Sequence, residues 1–239
     1  MARKFIHILL VTVVKLLLKV TVSGAENVPP SGPLIIMMNH IAFLDPVVVT
    51  ACFPRWVVSM AKAEAFSLPV WGPLIKIYGA FPIERGAGDV GAIRQAIRVL
   101  QQGNVLLMAP EGTRSRSYSL QPAQEGLVTV ATRSGAPVIP VAITGAHQAK
   151  RNWLRLRRAP IQIAIGQPFA FKESARRQRR AAIDEAMARL AAILPEPFRG
   201  VYSDLSGATS THLAALEAPA EQRQPQAQRH PADPGPPPE

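Results

Sequence analysis

The stretch "PLIIMMNHIAFLDP", residues 33–46, decides the fold. Its five apolar residues 34–38 run without alternation, as expected of a strand buried on both faces of a sheet. The run stops at Asn39 and His40. Asp45 and Pro46 then make a good helix start, with Asp45 as N-cap and Pro46 as the first helical residue. Strand, short polar turn and helix together make the repeating unit of an α/β protein. Such sheets open their ligand crevices at the carboxyl ends of the strands, where His40 stands. The four residues 41–44 are few enough to fold back and bring the Asp45 carboxylate to an imidazole nitrogen. That contact would fix the tautomer and leave the other nitrogen as a general base. An N-cap aspartate beside a surface histidine fits the same residues.

Outward from this unit, short β-branched runs alternate with helical patterns. Strands are expected at 20–24, 34–38, 56–60, 79–83, 104–109, 137–143 and 161–166. Helices are expected at 46–53, around 70–78, and at 89–102, 124–134 and 173–194. Asp89 is a plausible N-cap and Gly103 lies just past the end of its helix. The alternation predicts an α/β domain over residues 20–199, with a mixed, largely parallel central sheet flanked by helices. Beyond Leu216 there is no Val, Ile, Leu, Met or aromatic residue, and residues 200–239 are assigned to a disordered tail.

The chain carries 27 Lys and Arg against 16 Asp and Glu, a net +11, which favours anionic partners such as nucleic acid or an acidic lipid surface. A single cysteine, Cys52, excludes an internal disulfide and a cysteine-based metal site. The histidines are scattered and the carboxylates lack ligand spacing, so no metal is expected.

The apolar run 5–20 is sixteen residues long. As a helix it would reach roughly 24 Å, against a hydrocarbon core of about 30 Å. Lys4, His7, Thr12, Lys15 and Lys19 share one sector, so residues 1–19 are read as a membrane-associating helix lying at the interface. A spanning or cleaved signal segment is one rival, with "MARK" at the start and small residues at 22–25, and a plain buried helix is the other.

Other strand ends carry charged or small-residue turns. "GAFPIERG" (79–86) contains Arg85, and "MAKAEAF" (60–66) contains Lys62. In "APEGTRS" (109–115), Gly112 permits a tight turn whose amides, with Thr113 and Arg114, suit a phosphate or carboxylate. "VIPVAITG" (138–145) carries Pro140, which points to an edge strand or a bulge. "KRNWLRLRR" (150–158) mixes five basic residues with Trp153, Leu154 and Leu156, as an interfacial contact would.

"NHIAFLD", "GAFPIER", "PEGTRS" and "VIPVAI" resemble, in order and spacing, the four blocks of the glycerolipid acyltransferases, the family of 1-acyl-sn-glycerol-3-phosphate acyltransferases. The resemblance covers roughly residues 18 to 170, with departures at Pro82 and Ala109 that bear on acceptor preference. It implies that His40 takes a proton from the acceptor hydroxyl and that Asp45 orients it. Arg85, Glu111, Gly112, Thr113 and Arg114 would hold the acceptor and its phosphate. Lys62 or a neighbouring amide would stabilise the oxyanion, and Asn39 would shape the turn. No cofactor is implied beyond a thioester co-substrate, either acyl-CoA or acyl carrier protein. The expected acceptor is 1-acylglycerol-3-phosphate, or another lysolipid or amphiphilic alcohol, met on the cytoplasmic face of the inner or plasma membrane. Among rivals, a basic nucleic-acid-binding module explains the charge but not His40 and Asp45, and no nucleic-acid-binding motif is recognised. A serine hydrolase would need a Gly-x-Ser-x-Gly elbow, which the chain lacks. An inactive membrane scaffold would not need the His40–Asp45 pair.

Overall fold

A computed structural model describes residues 2–69, 71–83 and 90–216. The chain opens with α1 (Ala2–Leu17) and β1 (Leu18–Ser23), followed by β2 (Leu34–Met38), α2 (Asp45–Cys52) and β3 (Val57–Lys62). Next come α3 (Trp71–Tyr78), β4 (Phe81–Ile83), α4 (Val90–Gln101), β5 (Val105–Met108) and α5 (Gly126–Ser134). The remainder is β6 (Val138–Thr144), α6 (Ala149–Trp153), β7 (Ala159–Ile165), β8 (Phe169–Phe171), α7 (Arg179–Ala192) and β9 (Leu213–Ala215).

The strands form one mixed sheet in the order β1-β7-β6-β2-β5-β3-β4, with β8 and β9 paired off β6. β6, β2, β5, β3 and β4 run parallel, while β7 is antiparallel to β6 and β1 follows β7. The carboxyl ends of five strands therefore open on a single edge, and the turns after them meet there. Both faces are covered. Along β2, Ile35 and Met37 pack into a core with α4, α5 and α7, while Leu34, Ile36 and Met38 pack into a second core with α1 and α2. This is why the strand reads as an unbroken apolar run.

Several expectations are revised. The first helix ends at Leu17, and Leu18–Val20 already belong to β1, so Lys19 sits on a strand paired opposite Pro160. His7 does not join the lysines at the surface: its Nδ1 lies 2.8 Å from the Tyr78 hydroxyl and its ring leans on Trp56. Burial pushes that hydroxyl up to about 12. No helix among the described residues is long and apolar enough to cross a membrane.

Pro140 lies inside the sheet rather than at an edge. β6 pairs β8 at Val138 and β7 from Val141 onward, so Pro140 falls in the gap where the antiparallel partner changes. Gly166 closes that gap by donating its N–H to the Pro140 carbonyl at 2.9 Å, and a Cβ on it would sit 2.8 Å from Pro140 Cγ.

The segment expected as a single helix over 173–194 is divided into a 3₁₀ turn at Glu173–Arg176 and α7. The tail boundary also moves, because residues 200–216 continue the fold. Tyr202 donates its hydroxyl to Asp184, and β9 adds a strand against β8. Asp89 and the tail beyond Leu216 lie outside the described residues.

Candidate active site

The turn after β2 is fixed at both ends. Asn39 is fully buried and copies a strand contact with its side chain: Nδ2 donates to the Ile143 carbonyl at 2.9 Å and Oδ1 accepts from the Ile143 N–H at 2.8 Å. The end of β2 is thereby pinned to β6. The His40 carbonyl accepts from the Ser115 N–H at 2.8 Å, tying the turn to the loop after β5.

Asp45 does not act as an N-cap in the usual sense. Leu44 occupies that position, and the carboxylate faces back over the turn instead of forward into the helix. Oδ2 accepts from the backbone of Ile41 at 2.7 Å and Ala42 at 2.6 Å, and lies 3.2 Å from His40 Nδ1. The Asp45 side chain is 0% exposed and that of His40 is 13% exposed. A carboxylate on Nδ1 holds the proton there and leaves Nε2 with a free lone pair, as a general base requires.

Glu111 is buried and spans two backbone segments. Oε1 accepts from the His40 N–H at 2.9 Å and Oε2 from the Gln121 N–H at 3.0 Å. Burial raises its carboxyl above the ordinary value, against the pull of those hydrogen bonds. Both Glu111 oxygens are engaged with backbone, so the side chain that lines the cavity also holds the His40 turn. Gly112 follows at φ +69, the left-handed region that favours glycine, and its N–H donates to the Ala109 carbonyl at 3.0 Å.

These residues border a cavity of about 1020 Å³ between the carboxyl edge of the sheet and the helices α4 and α5. Polar His40, Glu111, Gly112 and Thr113 and apolar Met60, Ile93, Leu107, Leu127 and Val130 are among the residues that line it, and its volume is large enough for an alkyl chain. Arg180, which was not foreseen, lines it as well. Arg114 is exposed and lies outside the lining. Lys62 ends β3 but is also outside the lining, held in a 2.6 Å ion pair with Glu64. Arg85 lies outside the described residues. Ser115 belongs to the quoted block but was not singled out, and nothing in the sequence marks Gln121 or Ile143 as partners of the turn. Among the described residues, no three of His, Cys, Asp and Glu come together as metal ligands would.

Set beside known proteins, residues 19–144, more than half of the chain, match the family model described as Acyltransferase. A 1-acyl-sn-glycerol-3-phosphate acyltransferase of Limnanthes douglasii is 31% identical over 154 residues, covering 63% of this chain and 54% of the relative. One from Bacillus subtilis (strain 168) is 28% identical over 172 residues, covering 70% of this chain and 84% of the relative. The chain spans about half the length of the plant relatives it matches. In fold it is similar to the crystal structure of the 1-acyl-sn-glycerophosphate acyltransferase PlsC from Thermotoga maritima. That likeness has a TM-score of 0.58 at 24% identity, covering 79% of this chain and 82% of the other.

Proposed function

The chain belongs to the acyltransferase family, and we propose that it moves a fatty acyl group from an acyl thioester to the free hydroxyl of a lysophospholipid. The acceptor is 1-acylglycerol-3-phosphate and the product phosphatidic acid, as the names of the relatives suggest. The donor is acyl-CoA or acyl carrier protein. The reaction belongs to phospholipid biosynthesis and takes place at a membrane surface, on its cytoplasmic face.

The observation that carries this reading is the His40–Asp45 pair at the carboxyl edge of parallel strands, with His40 lining a cavity that holds both polar and apolar side chains. His40 Nε2 removes the proton of the acceptor hydroxyl as the oxygen attacks the thioester carbonyl. Asp45 stabilises the imidazolium that forms. The tetrahedral intermediate collapses, the C–S bond breaks, and the leaving sulfur takes the proton from His40. The transfer is direct, without an acyl-enzyme intermediate. In this reading Gly112 and Thr113, which line the cavity, hold the acceptor's phosphate, with Arg114 and Arg85 as cationic partners.

The test is acyl transfer from a labelled acyl thioester to lysophosphatidic acid in detergent micelles, with His40→Ala in parallel. Wild type forms phosphatidic acid, and the variant loses about 10²- to 10⁴-fold in rate, the worth of a general base. Unchanged activity in the variant refutes the mechanism. A wild type that releases thiol only with another lysolipid leaves the mechanism standing and replaces the acceptor.

A further inference from the structure

The turn joining α6 to β7 has an unusual surface. Leu154 is 79% exposed and Leu156 is 98% exposed. Leu156 also has φ +53, a left-handed conformation that a leucine rarely adopts. The turn is nevertheless tightly built. Leu154 donates its N–H to the Lys150 carbonyl, Arg155 and Arg157 both donate to Asn152, and Leu156 donates to Trp153, all at 2.9–3.1 Å. The leucines are held outward by the backbone itself.

The turn is also fastened to the end of α1. Trp153 Nε1 donates to the Leu17 carbonyl at 3.0 Å, and the Arg158 guanidinium donates to the carbonyls of Leu18 and Lys15. A cation on those last carbonyls suits a helix C-terminus. Leu16 and Leu17, at the clamped end, are themselves exposed. Two apolar projections are thus locked into a fixed relation.

Strand directions place both at the catalytic edge. β7 runs antiparallel to β6, with Gln162 opposite Thr144, so it begins beyond the carboxyl end of β6. β1 begins beside it, with Leu18 opposite Ala159. His40 lies at the same edge, and exposed Phe43 is in its turn.

The charge of the surroundings is one-sided. Lys15, Lys19, Lys150, Arg151, Arg155 and Arg157 are exposed around the leucines. No Asp or Glu occurs in residues 1–25 or 126–172. Apolar tips ringed by uncompensated cations match an acidic bilayer, whose head groups take the charges while its acyl region takes the leucines.

We propose that the turn between α6 and β7 inserts Leu154 and Leu156 into the surface of an acidic lipid bilayer. Tied to the end of α1, it sets the catalytic edge of the sheet against that surface. This rests on the acyltransferase reading only for its purpose, delivery of a lipid acceptor to His40.

The test is sedimentation of the full chain with vesicles of phosphatidylcholine and phosphatidylglycerol in equal parts, comparing wild type with Leu154→Ser combined with Leu156→Gly. Glycine suits the positive φ, so thermal unfolding of the variant should occur no lower than that of wild type, which separates lost docking from lost folding. The expected result is vesicle binding weaker by about tenfold or more, with acyl transfer in detergent micelles unchanged. Binding equal to that of wild type overturns the proposal. If wild type is inactive in micelles yet binds vesicles through the two leucines, the functional reading fails and the docking surface stands.

Discussion

Asp45 Oδ2 serves His40 in two ways: it lies 3.2 Å from the imidazole Nδ1 and also accepts the N–H groups of Ile41 and Ala42, the two residues after it. Orientation of the base and shape of its turn are one interaction. The other oxygen, Oδ1, is buried with no hydrogen-bond partner among the described residues. Asp45→Asn can put its amide group where Oδ1 lies and still accept both N–H groups through the remaining oxygen. The fold should therefore survive, while the negative charge that stabilises imidazolium is gone. The expected result is a fall in kcat of about 10²-fold or more, with a urea midpoint lowered because the buried amide N–H groups find no acceptor, at about 1–3 kcal/mol. Asp45→Ala should add a stability loss of about 1–3 kcal/mol from the stranded N–H groups. Full activity in Asp45→Asn would remove Asp45 from the mechanism.

Glu111 ties the N–H of His40 to that of Gln121, and a glutamine there can accept only one of the two bonds well. Glu111→Gln should lower kcat by loosening the His40 turn. A pH signature accompanies it. Because burial raises the folded carboxyl above the ordinary 4.5, the folded state binds a proton over an interval in which the unfolded state has released it. This contribution to stability is fully present below the unfolded value and is lost as pH rises through the folded one. Urea unfolding across that interval should show the slope in wild type and its absence in Glu111→Gln. Equal slopes in the two proteins would contradict the assignment.

Much of this arrangement was legible because buried parallel strands leave unbroken apolar runs, and the residues closing each run are polar or charged and stand together at one edge of the sheet. The sheet class, the His40–Asp45 pair and the Gly112 turn all followed from that. What stayed hidden depends on pairing across long sequence separations. Glu111 and His40 are 71 positions apart, and no local pattern shows that the acid meets the His40 N–H. The direction of the Asp45 carboxylate is likewise invisible, since an aspartate before proline reads as a cap whichever way it turns. The end of α1 was misplaced because Leu18, Lys19 and Val20 suit helix and strand alike, and pairing with β7 decides. β9 went unseen because three residues in a polar stretch become a strand only when β8 offers an edge.

Gly112 stands at φ +69, and among the described residues only Gln124 Cγ, 3.4 Å away, is near the position of an added Cβ. Alanine there meets ordinary van der Waals contact, so its cost is backbone conformation, about 1–2 kcal/mol. Gly112→Ala should fold, lose that much in urea unfolding, and, if the loop holds the acceptor's phosphate as proposed, weaken that contact. KM for a phosphorylated lysolipid should rise more than kcat falls. A fall in kcat alone would assign the loop to the chemical step.

Asn39 makes the strongest demand on its identity. Both halves of its amide are engaged by the same residue, Ile143, in the buried centre of the sheet. Removing the amide strands one N–H and one carbonyl of β6 away from water, each at a cost of about 1–3 kcal/mol. Asn39→Ala should therefore lose about 2–6 kcal/mol in urea unfolding, an amount that consumes much of a typical domain's stability. Asn39→Asp keeps the acceptor but sets a carboxylate oxygen against the Ile143 carbonyl, so it should be no better. Asn39→Gln carries the right groups one methylene too far and should not restore the pairing. A stable, active Asn39→Ala would mean that the two strands hold the His40 turn in place without this bridge.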